Sequence, residues 1–467
     1  MMRKLFLSVL GLLWTTLVLA QLPDSLQTRL EQYLSTYDHP NEPGFALLIS
    51  QRGQVVYRKA VGYANLEHGI RNITQSVYSV ASVSKQFTAA AVAMLQLEGK
   101  IDVEASIRTY FPELPEGLQT VKVRHLIHHQ SGLREIRVWS FLAGYYSDIY
   151  NMTEGETLEW VCRQQKPYFE PGSQYDYSNT NYFLMSLLVQ RVSGKNLRVF
   201  CEERIFKPLG MAHSHLHNDV TEIVPLRATG YYKDEKGTFH IDPEAQLYSL
   251  VGPGRLFTSV EDLAIWDDNF NTGKVGGKPF LDLIQTPGKF NADKTGEYAY
   301  GLSISTFKGQ RTVEHSGANT GYNANFMRFP DKGFTLICIS NSGHLSPVNI
   351  TRNVAEIMLT GRIETTPAVA PTPKPPYVPK NSELASLSGN YYSAELQMMY
   401  QAFVKDGKLF VQYKPYKPIF ENALSPVSKD VFTANGYVLT FVRDEQGKVT
   451  HFNLGGGRMG VMRFDKQ

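Results

Sequence analysis

Cysteine is scarce in this chain. Three occur in 467 residues, Cys162, Cys201 and Cys338, and an odd number leaves one thiol unpaired in an oxidising compartment. Cys338 lies in the apolar run "FTLICIS" and reads as a buried, inert thiol. Cys162 and Cys201 fall on amphipathic helical patterns; a bridge between them is open, but two separate thiols is the preferred reading. An excess of one charge is lacking too: 47 Lys and Arg face 44 Asp and Glu, a net charge of +3 with no basic run. Nucleic acid and membrane surfaces are therefore set aside as partners. There is no repeat of solenoid period, and beyond residue 20 no apolar stretch is long enough to span a bilayer.

Two motif-like strings fail for want of their context. Gly455-Gly456-Gly457-Arg458-Met459-Gly460 fits G-x-G-x-x-G, but no helix follows it and there is no acidic residue about 20 positions on, so it reads as a turn and not as a dinucleotide site. "HLIHH" places His125 and His129 four apart without the Glu of H-E-x-x-H. His213, His215 and His217 alternate in "MAHSHLHN", which would clasp a metal only as a strand; a surface turn is the expectation. No metal and no cofactor is expected.

What is present begins with "MMRKLFLSVLGLLWTTLVLA". Arg3 and Lys4, an apolar run, and small residues before Gln21 read as a secretory leader over 1–20, cleaved near Ala20. The expected location is secreted or periplasmic; an uncleaved anchor is the alternative, and the lack of a following cysteine argues against a lipid anchor. With 42% apolar and 19% charged residues, the rest is ordinary globular material. "GFALLISQRGQVVYRKAVGYANLE" is a hairpin turning at Arg52-Gly53. Helical patterns follow, and strands return late in "RTVEHSGA", "NANFMRFP" and "FTLICISN". Strands at both ends with helices between predict one α/β unit over 21–363, an antiparallel sheet flanked by helices with a helical subdomain. A proline-rich linker over 364–381 leads to a small all-β, barrel-like domain over 382–467, with a hairpin at Asp406-Gly407.

The chemistry-bearing stretch is "SVASVSKQFTAAAVAMLQLEGK", Ser79 to Lys100. Apolar spacing from Phe87 and a stop at Gly99 predict a helix with Ser82 in or near its first turn. There a backbone N–H lacks an intrahelical partner and can face an oxyanion. Lys85, one turn on, shares a face with Ser82. A serine hydroxyl needs a proton acceptor to become a nucleophile. A lysine, whose ordinary pKa is about 10.4, serves only if it is desolvated or placed near another cation. Alone, S-x-x-K is a weak signal, equally read as a polar helix start with a solvated lysine.

Two further motifs change its weight. "PGSQYDYSNTNYFLM" carries Tyr177-Ser178-Asn179 before an apolar helical run, and "TVEHSGANTGY" carries His315-Ser316-Gly317 in a strand-like segment. In this order and spacing the three stretches resemble serine β-lactamases and penicillin-binding proteins, with their S-x-x-K, Y/S-x-N and K-T-G-like signatures. The chain is most similar to the class C branch, which includes D-alanyl-D-alanine carboxypeptidases, D-aminopeptidases and esterases. The resemblance runs from Gly44 to Gly361 through "HLIHHQSGL", "GPGRLFTSVEDLAIW" and "YGLSI"; the C-terminal region more loosely resembles lipocalin-like domains attached to such hydrolases. By motif it implies Ser82 as nucleophile and Lys85 as base or its electrostatic partner. Tyr177 would relay the proton and protonate the leaving group, and Asn179 would orient the substrate amide or Lys85. The N–H groups of Ser82 and Ala318 would form the oxyanion hole, and His315, Ser316 and Gly317 would contact substrate.

The third motif departs from the family at its first position. A lysine there would hold a substrate carboxylate at any physiological pH, whereas His315 offers a conditional charge or a neutral hydrogen bond. The expectation is weak β-lactam turnover and a secreted serine hydrolase acting on a peptide, amide or ester, cell-wall-derived peptides among the substrates considered. A class C β-lactamase and a catalytically silent sensor or binding protein are the alternatives.

Overall fold

The computed structural model describes residues 22–144, 152–242, 250–363, 377–413, 423–456, 458 and 460–467. The leader over 1–20 and most of the proline-rich linker lie outside them. Helix α1 (Asp24–Ser35) precedes the hairpin of β1 (Phe45–Gln51) and β2 (Gln54–Val61). The hairpin turns where expected: Arg52 and Gly53 have φ of 52° and 80°, the left-handed pair that a two-residue I′ turn demands. After the helical middle of the chain come β3 (Ser303–Phe307), β4 (Gln310–Ala318), β5 (Asn323–Phe329) and β6 (Phe334–Ser340). They join in the order β3-β4-β5-β6-β1-β2, with Phe45 opposite Ser340 and Gln51 opposite Phe334.

The unbroken apolar run of β1 follows from its being an interior strand of a sheet covered on both faces. Alternate side chains point to opposite faces. Phe45, Leu47 and Ile49 join α1 and a C-terminal helix (Pro347–Thr360) in one core through Leu30, Leu34, Ile350 and Val354. Ala46 and Leu48 enter a second core with Val83, Phe87 and Trp266. That second core is built on α2 (Lys85–Leu97), α3 (Asn179–Ser193) and α4 (Val260–Thr272). The structure thus has the expected mixed α/β architecture with an antiparallel sheet covered on both faces.

One buried polar cluster locks helix to sheet. Asp267 of α4 accepts from Ser50 of β1 at 2.6 Å and from Thr335 of β6 at 2.7 Å, and it pairs with Arg328 of β5. All four are buried. Asp267→Ala strands the Arg328 guanidinium without its counter-charge, so stability is expected to fall by about 3–5 kcal/mol, read as the shift of the urea midpoint.

The C-terminal strands form a second, eight-stranded antiparallel sheet. It comprises β7 (Gly389–Ser393), β8 (Met398–Lys405), β9 (Lys408–Tyr413), β10 (Ser425–Ser428), β11 (Val431–Ala434), β12 (Tyr437–Arg443), β13 (Val449–Gly456) and β14 (Met462–Lys466). The expected hairpin at Asp406-Gly407 is formed, and β12 and β13 pair as another. The sheet curls into a half-barrel; its end strands β9 and β10 are not neighbours in the ladder, but a bond from Leu424 N–H to Leu409 O at 2.8 Å spans the gap.

This domain is not a loose appendage. The helix Ile136–Leu142 buries Ile136, Trp139 and Leu142 in one cluster with Leu396, Tyr400, Met462 and Phe464. The Tyr400 hydroxyl donates to Leu142 O. Arg134 forms a two-pronged pair with Glu395 and donates to Val461 O at 3.1 Å.

All three cysteines are free, Cys201 and Cys338 buried and Cys162 partly so.

Candidate active site

Ser82 lies just ahead of the α-helix, near its first turn as the spacing predicts. It sits in a 3₁₀ turn over Ala81–Ser84, and α2 starts at Lys85. The turn is strained: Ala81 has a φ of 45°, a left-handed conformation that costs a non-glycine residue roughly 1–3 kcal/mol. Its surroundings enforce it. Ser84 Oγ donates to Ala81 O at 2.6 Å and accepts from Leu256 N–H at 2.9 Å. Strand β4 presses against the same turn at Gly317, where a Cβ would lie 2.2 Å from Val80 O and 2.9 Å from Ser82 N. Only glycine permits that approach, and Ala318 follows it. The Asn319 N–H is committed to Tyr322 O at 2.9 Å. Because N–H groups alternate along a strand, the Ala318 N–H points away from β5, and Ala318 borders both cavities that open at Ser82.

Lys85 is fully buried. Its Nζ lies 3.1 Å from Ser82 Oγ, 2.7 Å from Asn179 Oδ1 and 2.7 Å from Pro253 O. The last two atoms only accept hydrogen bonds. A neutral amine therefore spends both its N–H bonds on them and turns its lone pair to Ser82. Burial drives the Lys85 pKa well below its ordinary 10.5; nearby Glu135 opposes this, and Arg458 and Arg137 reinforce it. The neutral, proton-accepting form is the one the site favours.

Tyr177 and Asn179 reach this centre from the start of α3. Asn179 hands its Oδ1 to Lys85 and donates from Nδ2 to Glu135 Oε1 at 3.0 Å, while its backbone N–H is held by the other Glu135 oxygen. The amide is thereby fixed as an orienter of Lys85. The Tyr177 hydroxyl bonds to Ser82, and burial raises its pKa from 10.0, against the pull of Ser82 and Arg458. It stays a hydroxyl at neutral pH, so of the two neighbours of Ser82 the one placed to accept a proton is Lys85. The Tyr177 ring is held by the His129 ring at 4.2 Å, with Lys85 Nζ 4.8 Å from its centroid.

His315 lies beside them but is not a cation. Burial, then Lys85, pushes its pKa to about 3. The ring is engaged at both nitrogens, with Nδ1 at 2.6 Å from Ser316 O and Nε2 at 2.8 Å from the Tyr298 hydroxyl. The carbonyl requires a proton on Nδ1, so Nε2 accepts from Tyr298. Of the two options left open by sequence, conditional charge or neutral hydrogen bond, the geometry selects the second. The bond is made within the protein.

Two cavities meet at Ser82. The larger, about 540 Å³, is bordered by Tyr177, His315, Ser316, Ala318, Arg352 and Arg458. The smaller, about 110 Å³, is bordered by Asn179, Ala318 and the guanidinium-bearing Arg137, Arg255 and Arg458. Ser82, Lys85, Tyr177, Asn179, His315, Ser316, Gly317 and Ala318 are thus all gathered in one place. Glu135, the Pro253 carbonyl and Arg458 belong to it as well and were not expected. A lone acid in "SGLREI", a backbone oxygen and an arginine in a glycine turn carry no pattern that marks them.

The other histidines do different work. His125 Nδ1 accepts from Lys122 N–H at 3.0 Å, a local structural bond. The His213–His217 stretch is not the expected surface turn: His215–Leu216 is a short strand paired with Leu256–Thr258. It brings His215, His217 and Glu222 within 4.8 Å of one another. Arg198 already holds the Glu222 carboxylate through contacts of 2.6 and 2.7 Å, so the cluster reads as an ion pair with neutral imidazoles attached.

A buried lysine facing a strained serine, with a tyrosine at the same hydroxyl, is the arrangement of an S-x-x-K serine site. The chain belongs to the beta-lactamase family, whose model matches residues 30–358. Penicillin-binding protein 4* of Bacillus subtilis is 29% identical over 331 residues, 67% of this chain and 71% of that protein. A D-aminopeptidase of Gluconobacter oxydans is 25% identical over 329 residues, 70% of this chain but only 61% of that enzyme. Among solved structures, the octameric penicillin-binding protein homologue from Pyrococcus abyssi superposes with a TM-score of 0.63 at 22% identity, over 94% of this chain and 99% of that one. D-amino acid amidase from Ochrobactrum anthropi SV3 gives 0.60 at 22%, over 73% and 99%. At that identity the structural likeness speaks for the fold alone. The family and the curated relatives indicate a hydrolase of the serine β-lactamase type. No helix among the described residues is long and apolar enough to cross a membrane.

Proposed function

We propose that the protein is an exported serine hydrolase that cleaves a peptide, amide or ester through an acyl-enzyme on Ser82, with D-amino-acid derivatives as the substrate class. The observation that carries this reading is the position of Lys85 Nζ, whose two committed acceptors leave its lone pair for Ser82. The Ser82 oxygen bonds to the substrate carbonyl carbon as its proton passes to Lys85. The carbonyl oxygen takes up negative charge between the N–H groups of Ser82 and Ala318. When the C–N or C–O bond breaks, Tyr177 gives its proton to the leaving group and is reprotonated from Lys85. Water then attacks the ester by the same steps reversed. Preference for D-amino-acid substrates is supported by the D-aminopeptidase relative, and export by the apolar leader that opens the sequence.

The test is to trap the intermediate. Incubation with D-phenylalanine p-nitrophenyl ester, and separately with a fluorophosphonate, is expected to give a stoichiometric burst and a mass adduct that maps to the peptide containing Ser82. If neither reagent nor a penicillin leaves an adduct on that peptide, the hydrolase reading is wrong and the silent-binder alternative stands.

A further inference from the structure

The glycine-rich string near the C-terminus has no dinucleotide to bind, yet it is not idle. The turn between β13 and β14 delivers Arg458 to the mouth of the active site, 4.7 Å from the centroid of the Tyr177 ring. It borders both cavities that meet at Ser82. The turn is seated on the catalytic domain. Arg134 bonds Val461 O at 3.1 Å, and Gly460 packs so closely on Tyr168 that a Cβ there would lie 2.4 Å from the ring. Among the described residues no carboxylate forms an ion pair with Arg458. Among the described residues the smaller cavity is bordered by three that bear guanidinium groups, Arg137, Arg255 and Arg458, and by no acidic one. Its volume of about 110 Å³ suits a small group such as a carboxylate. Meanwhile the position in β4 where the family triplet has lysine holds His315, uncharged and bonded at both nitrogens.

We propose that Arg458, supplied by the C-terminal β domain, binds a carboxylate of the substrate beside the scissile bond, so that this domain and not β4 provides the anion-recognising charge. The inference rests on the hydrolase reading above and narrows it to substrates bearing an anionic group. The β domain thereby acquires a role in catalysis. It completes the specificity pocket, held in register by the Arg134–Glu395 pair one residue from Glu135.

The test uses the full chain and two matched substrate pairs. One places the charge in the acyl group (mono-p-nitrophenyl succinate against p-nitrophenyl butyrate), the other in the leaving group (D-Phe-Gly against D-Phe-glycinamide). Wild type is expected to favour the anionic member of at least one pair by about tenfold to hundredfold in kcat/KM, the span of one charge-assisted hydrogen bond. Arg458→Ala should abolish that preference, chiefly through KM, and Arg458→Lys should restore part of it. The proposal fails if wild type shows no anionic preference in either pair, or if Arg458→Ala slows both members equally, which would mark Arg458 as a tuner of Tyr177. Failure of the underlying reading looks different: then no member of either pair acylates Ser82 at all.

Discussion

Ser82→Ala is expected to lower kcat/KM for any acylating ester by on the order of 10⁶-fold, as loss of the nucleophile does in other serine hydrolases, while the fold persists. The reason is the division of labour at the site. Ser82 Oγ is the atom at which the Lys85 amine and the Tyr177 hydroxyl converge, so its removal leaves the proposed base and relay with nothing to act on. The side chain is half-buried and packs in no core, which keeps the structural cost of deleting one hydroxyl small. Single-turnover hydrolysis of p-nitrophenyl butyrate, with thermal melting as the folding control, measures both. A residual rate within a hundredfold of wild type would require another nucleophile.

Lys85→Ala comes next, with an expected loss of about 10²–10⁴-fold, the usual worth of a positioned general base. Its signature is the pH profile. Lys85 accepts the Ser82 proton only as the free amine. As pH rises through its burial-lowered pKa the amine loses its charge, so the acylation rate rises with unit slope and then levels. As pH falls the ammonium form returns and the rate drops. The nearby imidazoles do not supply this limb: burial and Lys85 hold His315 at about 3, and burial drives His129 well below its ordinary value. Tyr177, pushed upward by burial, stays protonated throughout. Stopped-flow acylation of wild type and Lys85→Ala across pH decides the matter; a mutant that keeps the same acid limb would remove Lys85 from the role of base.

The legible and the illegible parts of this protein divide by distance along the chain. The β1–β2 hairpin follows from two β-rich runs and an Arg-Gly turn that occupies left-handed φ. That β1 is covered on both faces shows in a strand apolar on both sides. Ser82 and Lys85 share a face because they are three residues apart, and Tyr177 and Asn179 stand out by their motif before an apolar helix. What propensity could not show is that the first turn is 3₁₀ and strained at Ala81. The contacts that force it, Gly317 from β4 and Leu256 from a distant strand, are tertiary.

The sequence by itself determined that the chain pairs an α/β unit with a β-rich domain and that a serine, a lysine and a tyrosine at recognisable spacings carry the chemistry, because periodicity and short motifs are local. Only the tertiary structure decided the charge states and the company. Burial disfavours the charged forms of Lys85 and His315, and packing brings Glu135, the Pro253 carbonyl and Arg458 to one serine. Desolvation and through-space charge depend on what surrounds a group in three dimensions, and no spacing along the chain encodes that.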